Sequence, residues 1–205
     1  MLVRNKLPQD FYQDTNVTEI AIKLLGKQLF THINGEITGG VIVETEAYNG
    51  ITDKASHAYN GRFTERTKIM YKEGGVSYVY LCYGIHYLIN VVTGPVKCPQ
   101  AVLIRAIEPV TGLDVMLRRR DMISFKPNVC SGPGALSQAL GITKRLNDKD
   151  LGGDEIWIED AGFDTRDQKV VTARRIGVDY AEEDALLPWR FYFEGNKFVS
   201  RIPKK

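Results

Sequence analysis

Residues 41–48 run Val41-Ile42-Val43-Glu44-Thr45-Glu46-Ala47-Tyr48 and read as a strand with two acids in it. Side chains alternate along a strand, so Glu44, Glu46 and Tyr48 project from one face. Val43, Thr45 and Ala47 project from the other, which is apolar or small. Such a strand belongs inside a sheet, where a lone charge is costly. Any fold this chain adopts must therefore bury a carboxylate-bearing face and supply its partner. Arg105 is the candidate, because it ends another apolar run, Ala101-Val102-Leu103-Ile104. A single buried Glu–Arg pair is as often structural as functional. Two acids and a ring on one face favour a site.

The next stretch concentrates rings. Residues 76–83 read as a strand, Gly84 marks a turn or bulge, and residues 87–92 read as a second strand. Tyr83 then sits near the apex of a short hairpin. Residues 50–68 form a surface loop holding Asp53, His57, Tyr59 and Arg62. Loops of that length in a compact domain are usually functional. Tyr48, His57, Tyr59, Tyr80 and Tyr83 are compatible with ordinary strand aromatics. They are equally compatible with a slot for an unstacked nucleobase, where each stacked base contributes roughly 1–3 kcal/mol. A tyrosine at a hairpin tip also suits a wedge between base steps.

Around these segments, Asn16 and Glu19 resemble a capping box, and Val17, Ile20, Ala21, Leu24 and Leu25 share one helical face ending at Gly26. Asn34-Gly35 signals a two-residue hairpin. Residues 113–122 read as a helix with Leu113, Met116 and Leu117 inside and Arg118 to Arg120 outside. Pro133 opens a short helix carrying Leu136, Ala139 and Leu140. Residues 155–160, 170–172 and 190–201 supply later strands, the last folded back at 194–196. Strands and helices mix without βαβ regularity. The expected class is α+β: a single domain over residues 1–205, with a mainly antiparallel, barrel-like sheet and surrounding helices. A chain of 205 residues is long enough for one substantial core.

Several classes are excluded or disfavoured. No apolar run approaches the roughly 20 residues of a membrane span, and the N-terminus lacks a signal-peptide core. The expectation is a cytoplasmic protein with no membrane partner. Cys82, Cys98 and Cys130 are scattered, and His32, His57 and His86 lack ligand spacing, so neither a disulfide framework nor a zinc site is expected. The nucleotide-binding and hydrolase signatures GxGxxG, P-loop, GxSxG and HExxH are absent. No cofactor and no metal are expected. Net charge is only +2, but basic residues group at Arg62/Arg66/Lys68/Lys72, Arg118 to Arg120, Lys144-Arg145, Arg174-Arg175 and Arg201/Lys204/Lys205. Sharing one face, they would make a phosphate-binding surface. The residues alone leave three readings: an enzyme acting on nucleobases, a metal-dependent nuclease using Glu44, Glu46 and Asp53, and a non-catalytic nucleic-acid binder.

Four ordered motifs narrow the choice. Residues 43–48, residues 78–84 with Asn90, residues 103–109 (Leu103-Ile104-Arg105-Ala106-Ile107-Glu108-Pro109) and Cys130-Ser131-Gly132-Pro133 resemble the alkyladenine DNA glycosylase family. The resemblance extends from about Leu7 to Ser200 and includes Arg175-Ile176-Gly177-Val178. It implies a monofunctional glycosylase that flips alkylated or deaminated purines out of duplex DNA and hydrolyses the glycosidic bond. It implies Glu46 as the base that activates water, with Arg105 and the Ile176 carbonyl holding that water. Tyr48, His57 and Tyr80 would grip the base, Asn90 would discriminate against guanine, and Tyr83 on a protruding hairpin would enter the duplex. The implied partner is double-stranded DNA bound by a monomer. This chain has Thr64-Glu65-Arg66-Thr67 where the family often has Thr-Pro-Arg-Asn.

Overall fold

The computed structural model describes residues 5–200. Its organising element is β2 (Glu36–Tyr48), a strand of 13 residues that contains both acids. β5 (Gln100–Thr111) runs antiparallel along one edge from Gly39 to Tyr48. The other edge is shared. β1 (Gln28–Ile33) pairs with the first half, as far as Val41, and β8 (Arg190–Phe193) takes over at Glu44 to Glu46. Glu44 and Glu46 therefore lie where β2 has a hydrogen-bonded neighbour on both sides.

The remaining strands extend this frame. β3 (Ser77–Cys82) pairs with β4 (His86–Thr93), β4 with β5, β6 (Ile156–Glu159) with β1, and β7 (Val170–Ala173) with β8. The sheet is antiparallel, as the alternation along residues 41–48 implies. It is not the expected barrel: β3 and β6 end the main path and do not pair, so the sheet stays open. Helices close it instead. α1 (Val17–Lys23) lays Val17, Ile20 and Ala21 on the apolar face of β2, and the Thr45 hydroxyl donates to the Ala21 carbonyl at 2.9 Å. The Asn16 side chain caps α1 by accepting from the Thr18 amide; its carbonyl, not its side chain, receives the Glu19 amide. α2 (Leu113–Arg119) and α3 (Pro133–Ala139) pack beside each other, with Met116, Leu136 and Ala139 in the main core.

Three local expectations change. α2 stops at Arg119 because Arg120 leaves helical geometry, and Leu113, read as inward, is exposed at the first turn. Arg119 is half-buried against Glu36 and the Ala139 carbonyl, not solvated. β8 ends at Phe193, and no strand returns over residues 196–200. The basic tail Arg201/Lys204/Lys205 lies outside the described residues. The hairpin signal at Asn34-Gly35 holds: both residues take positive φ in the β1–β2 turn. No helix among the described residues is long and apolar enough to cross a membrane.

Candidate active site

Strand register gathers the chemistry on one face of the sheet. Directly paired residues of antiparallel strands share a face. Arg190 pairs with Glu46, Glu46 with Leu103, Leu103 with Asn90, and Asn90 with Tyr78. One row across five strands thus carries an arginine, an acid, an amide and a phenol. Tyr48 and Tyr80 stand two residues along their own strands from Glu46 and Tyr78, so they join the same face. The opposite face holds Val43, Ala47, Val79, Val91, Val102 and Ile104, all in the main core.

Glu46 is fully buried and held at three points. Its Oε1 accepts the backbone N–H of Ile176 at 2.8 Å. Its Oε2 accepts the Tyr48 hydroxyl at 2.9 Å and lies 3.2 Å from Arg105 Nη1. Burial pushes the Glu46 carboxyl above the usual glutamate range. Arg105, the Ile176 amide and the Tyr48 hydroxyl pull it back, and Glu44 adds to the rise. Tyr48, Arg105 and Ile176 line a cavity of about 830 Å³, and the Glu46 carboxylate sits immediately behind them. The contact made by Ile176 is through its N–H, whereas the resemblance assigns a role to its carbonyl.

Glu44 has a different occupation. One oxygen accepts Arg105 Nε at 2.9 Å and Arg190 Nε at 2.7 Å, and both oxygens bind Ser200, through its amide at 2.6 Å and its hydroxyl at 3.0 Å. Arg105 also donates to the Ser200 hydroxyl at 3.2 Å. The two acids and two arginines form one buried charge-balanced cluster, with Ser200 locking the chain's far end into it. Arg105 bridges both acids, so Glu44 fixes the guanidinium that faces Glu46.

Asp53 belongs to neither acid. Its carboxylate receives a two-pronged bond from Arg175, at 2.5 and 2.8 Å, between fully buried side chains. Backbone amides of Asn49 and Ala55 complete its shell. Arg175 also lies 4.8 Å from the Tyr48 ring centroid and donates to the Ala47 carbonyl. This pair ties the loop after β2 to the segment carrying Ile176, and so sets where the Ile176 amide meets Glu46. The metal-nuclease reading fails on these contacts. Glu44 is saturated by arginines and Ser200, Asp53 by Arg175, and no group of three or more candidate ligands gathers among the described residues.

His57 and Tyr80, expected to grip a base together with Tyr48, line the same cavity. His57 stands edge-on to Tyr80, with centroids 4.6 Å apart. Its Nδ1 is 2.9 Å from the Tyr78 hydroxyl and its Nε2 is 3.0 Å from Arg66. Burial, then Arg66, then Arg62 lower its pKa to about 4, so the ring is neutral at physiological pH. Arg66 Nη2 also lies 3.4 Å from His57 Nδ1, so the guanidinium sits against the ring face and not in line with either nitrogen. Asn90 is buried and donates to the Tyr78 carbonyl at 3.1 Å, using one of its two amide hydrogens. The start of α3 forms the facing wall, where Gly134 packs so closely on His86 that a Cβ would come within 2.7 Å of the ring.

Tyr83 stands at the rim. It is 89% exposed at the β3–β4 turn with φ of +50°, followed by Gly84 at +70°. Left-handed backbone suits glycine and costs an aromatic residue on the order of 1–2 kcal/mol. Leu81 and Ile85 beside it are exposed as well. A ring this exposed has little packing to offset the strain of its backbone.

Each expected site residue except Glu46 lines this one cavity, and Glu46 touches three that do. Tyr59 does not line it. Arg66, Arg190, Ser200 and the Asp53–Arg175 pair were not expected in these roles. Arg190 carries the signal that betrayed Arg105, a charge embedded in a run of large apolar residues, Trp189 to Phe193.

Comparison with known proteins matches this arrangement to one family over most of the chain. The methylpurine-DNA glycosylase family aligns with residues 10–197. Proteins named "Putative 3-methyladenine DNA glycosylase" are similar at full length. That of Alkaliphilus oremlandii is 45% identical over 203 residues, covering 96% of this chain and 99% of the relative. That of Clostridium acetobutylicum is 44% identical over 206 residues, covering 97% and 99%. That of Chlamydia abortus is 48% identical over 187 residues, covering 90% and 96%. With the site and these similarities spanning the same residues, the chain belongs to the methylpurine-DNA glycosylase family.

Proposed function

We propose that this protein removes alkylated purines such as 3-methyladenine from duplex DNA, using a water activated by Glu46. One observation carries the reading: a buried carboxylate, braced by Tyr48, Arg105 and Ile176, backs a ring-lined cavity whose rim bears an exposed tyrosine. The cavity volume is within the range of small-molecule sites, roughly 300–1,000 Å³. The nucleotide leaves the stack, at a cost of a few kcal/mol that is least for damaged bases. Tyr83 fills the gap in the duplex, and Tyr48, His57 and Tyr80 receive the base. Water entering among Tyr48, Arg105 and Ile176 gives a proton to Glu46 and its oxygen to C1′. The C1′–N9 bond breaks with its electron pair going to the purine. An already cationic alkylpurine leaves as a neutral molecule. Among the described residues no lysine lines the cavity, which supports hydrolysis without a Schiff base or strand cleavage.

The test is release of free base from duplexes containing 3-methyladenine, 7-methylguanine, hypoxanthine or ethenoadenine, with EDTA present. Base release leaving an intact strand with an abasic site is the expected result. Strand scission that EDTA abolishes would return the nuclease reading, and binding without release would leave only a damage-binding protein.

Tyr83 offers a second test with opposite signs for stability and activity. Tyr83→Asn places at φ +50° a residue that tolerates it. Melting temperature should hold or rise slightly, while capture of lesion duplex weakens on the order of tenfold, the worth of one stacked ring. A variant that unfolds would make Tyr83 a structural residue.

A further inference from the structure

Arg66 stands out because its position contradicts its sequence context. It sits in a basic run, Arg62 to Lys72, that reads as a phosphate-facing surface. In the structure it turns into the ring cluster. Its Nη2 is 3.0 Å from His57 Nε2, its Nε donates to the Tyr78 hydroxyl at 3.2 Å, and its guanidinium lies 4.7 Å from the Tyr80 ring centroid. It also lines the cavity. One side chain therefore touches two of the three base-gripping rings and the phenol that orients one of them.

We propose that Arg66 is a positioning and specificity-determining residue, which orients His57 in the ring cluster and makes the enzyme select lesions by their charge. The proposal rests on the glycosylase reading. Four groups face His57: Arg66 and Arg62 from its own loop, and Tyr78 and Tyr80 from β3. Both arginines oppose a second positive charge, and the tyrosines offer no negative one. His57 cannot supply the proton a neutral purine needs on departure. Of the two arginines that line the cavity, Arg105 is paired with Glu44 and Glu46, and Arg66 faces the rings.

Its effect depends on the lesion. When the glycosidic bond breaks, a neutral purine such as hypoxanthine takes the electron pair and develops negative charge, which a nearby guanidinium stabilises. It is later protonated by the proton that water gave to Glu46. A cationic purine such as 7-methylguanine ends neutral, so the same guanidinium gives its departure no such gain and opposes its binding. Arg66 thus favours neutral lesions relative to cationic ones.

The experiment compares wild type, Arg66→Gln and Arg66→Lys on hypoxanthine and 7-methylguanine duplexes, under single-turnover conditions with folding verified by melting. The ratio of kcat/KM for hypoxanthine over 7-methylguanine should fall about tenfold in Arg66→Gln, the size expected of one fixed charge across a partly buried wall. Arg66→Lys, which keeps the charge without the planar fork, should retain most of the ratio. A merely structural role would lower both substrates equally and leave the ratio unchanged, which overturns the proposal. An independent readout is the NMR titration of His57. Its pKa of about 4 should rise in Arg66→Gln, though not to an unperturbed value, because burial is the larger cause. No rise would overturn the positioning role. If wild type releases neither base while the His57 titration moves as expected, the glycosylase reading fails and the positioning role stands.

Discussion

Replacing Glu46 by glutamine is expected to lower base release by about 10²–10⁴-fold while lesion duplex still binds. Glutamine is nearly the same shape, and its one carbonyl oxygen can still accept the Ile176 amide, with its NH2 turned to the Tyr48 oxygen. It cannot take a proton from water. In the proposed function binding rests on Tyr48, His57, Tyr80 and Tyr83, and none of these is altered. The pH profile gives the same test a second axis. Burial holds the Glu46 carboxyl above the usual glutamate value of about 4.3. The kcat/KM profile of the wild type should fall on the acid side through a value above that, and the residual activity of Glu46→Gln should lack this limb. Unchanged release by Glu46→Gln would remove Glu46 from the chemistry altogether.

Why this acid was legible in sequence, and others were not, follows from range. Glu46, Tyr48 and the Tyr83–Gly84 turn are local signals: a period of two, and two successive residues suited to positive φ. Arg105 was within reach because a guanidinium ending an apolar strand demands an acid. Glu44 and Asp53 looked like its equals, and nothing nearby separates them. Their partners are remote: Arg190 and Ser200 stand 146 and 156 residues beyond Glu44, and Arg175 stands 122 beyond Asp53. The open sheet was hidden for a similar reason. Antiparallel strands announce themselves by alternation, but closure depends on whether β3 meets β6, which no local pattern encodes. Arg66 was misplaced by its neighbours, since a charge in a basic run reads as solvated until a ring cluster is found beneath it.

The two acids of β2 are expected to separate completely when melted. Glu44→Ala leaves the Arg105 and Arg190 guanidinium groups, both buried, without the carboxylate between them. Breaking a buried pair from one side typically costs about 3–5 kcal/mol, a large share of the roughly 5–15 kcal/mol that holds a domain folded. For a chain of this size that corresponds to a melting temperature lower by about 6–20 °C. Glu44→Gln, which keeps the hydrogen-bonding shape and loses the charge, should fall between. Glu46→Gln should go the other way. Its folded pKa is raised, so the protonated carboxyl's contribution to stability is fully present below the unfolded value and is lost as pH rises through the folded one. At neutral pH an uncharged glutamine removes that burden, and Arg105 keeps Glu44 and Ser200. Glu46→Gln should therefore melt at or above the wild-type temperature, and Glu44→Ala well below it. Calorimetry of the variants decides the matter: if Glu44→Ala melts with wild type, Glu44 is not what holds Arg105, and Glu46 and Ser200 suffice to fix it. A stable Glu46→Gln beside a fragile Glu44→Ala would mean that one strand carries, two residues apart, an acid kept for the fold and an acid kept at the fold's expense.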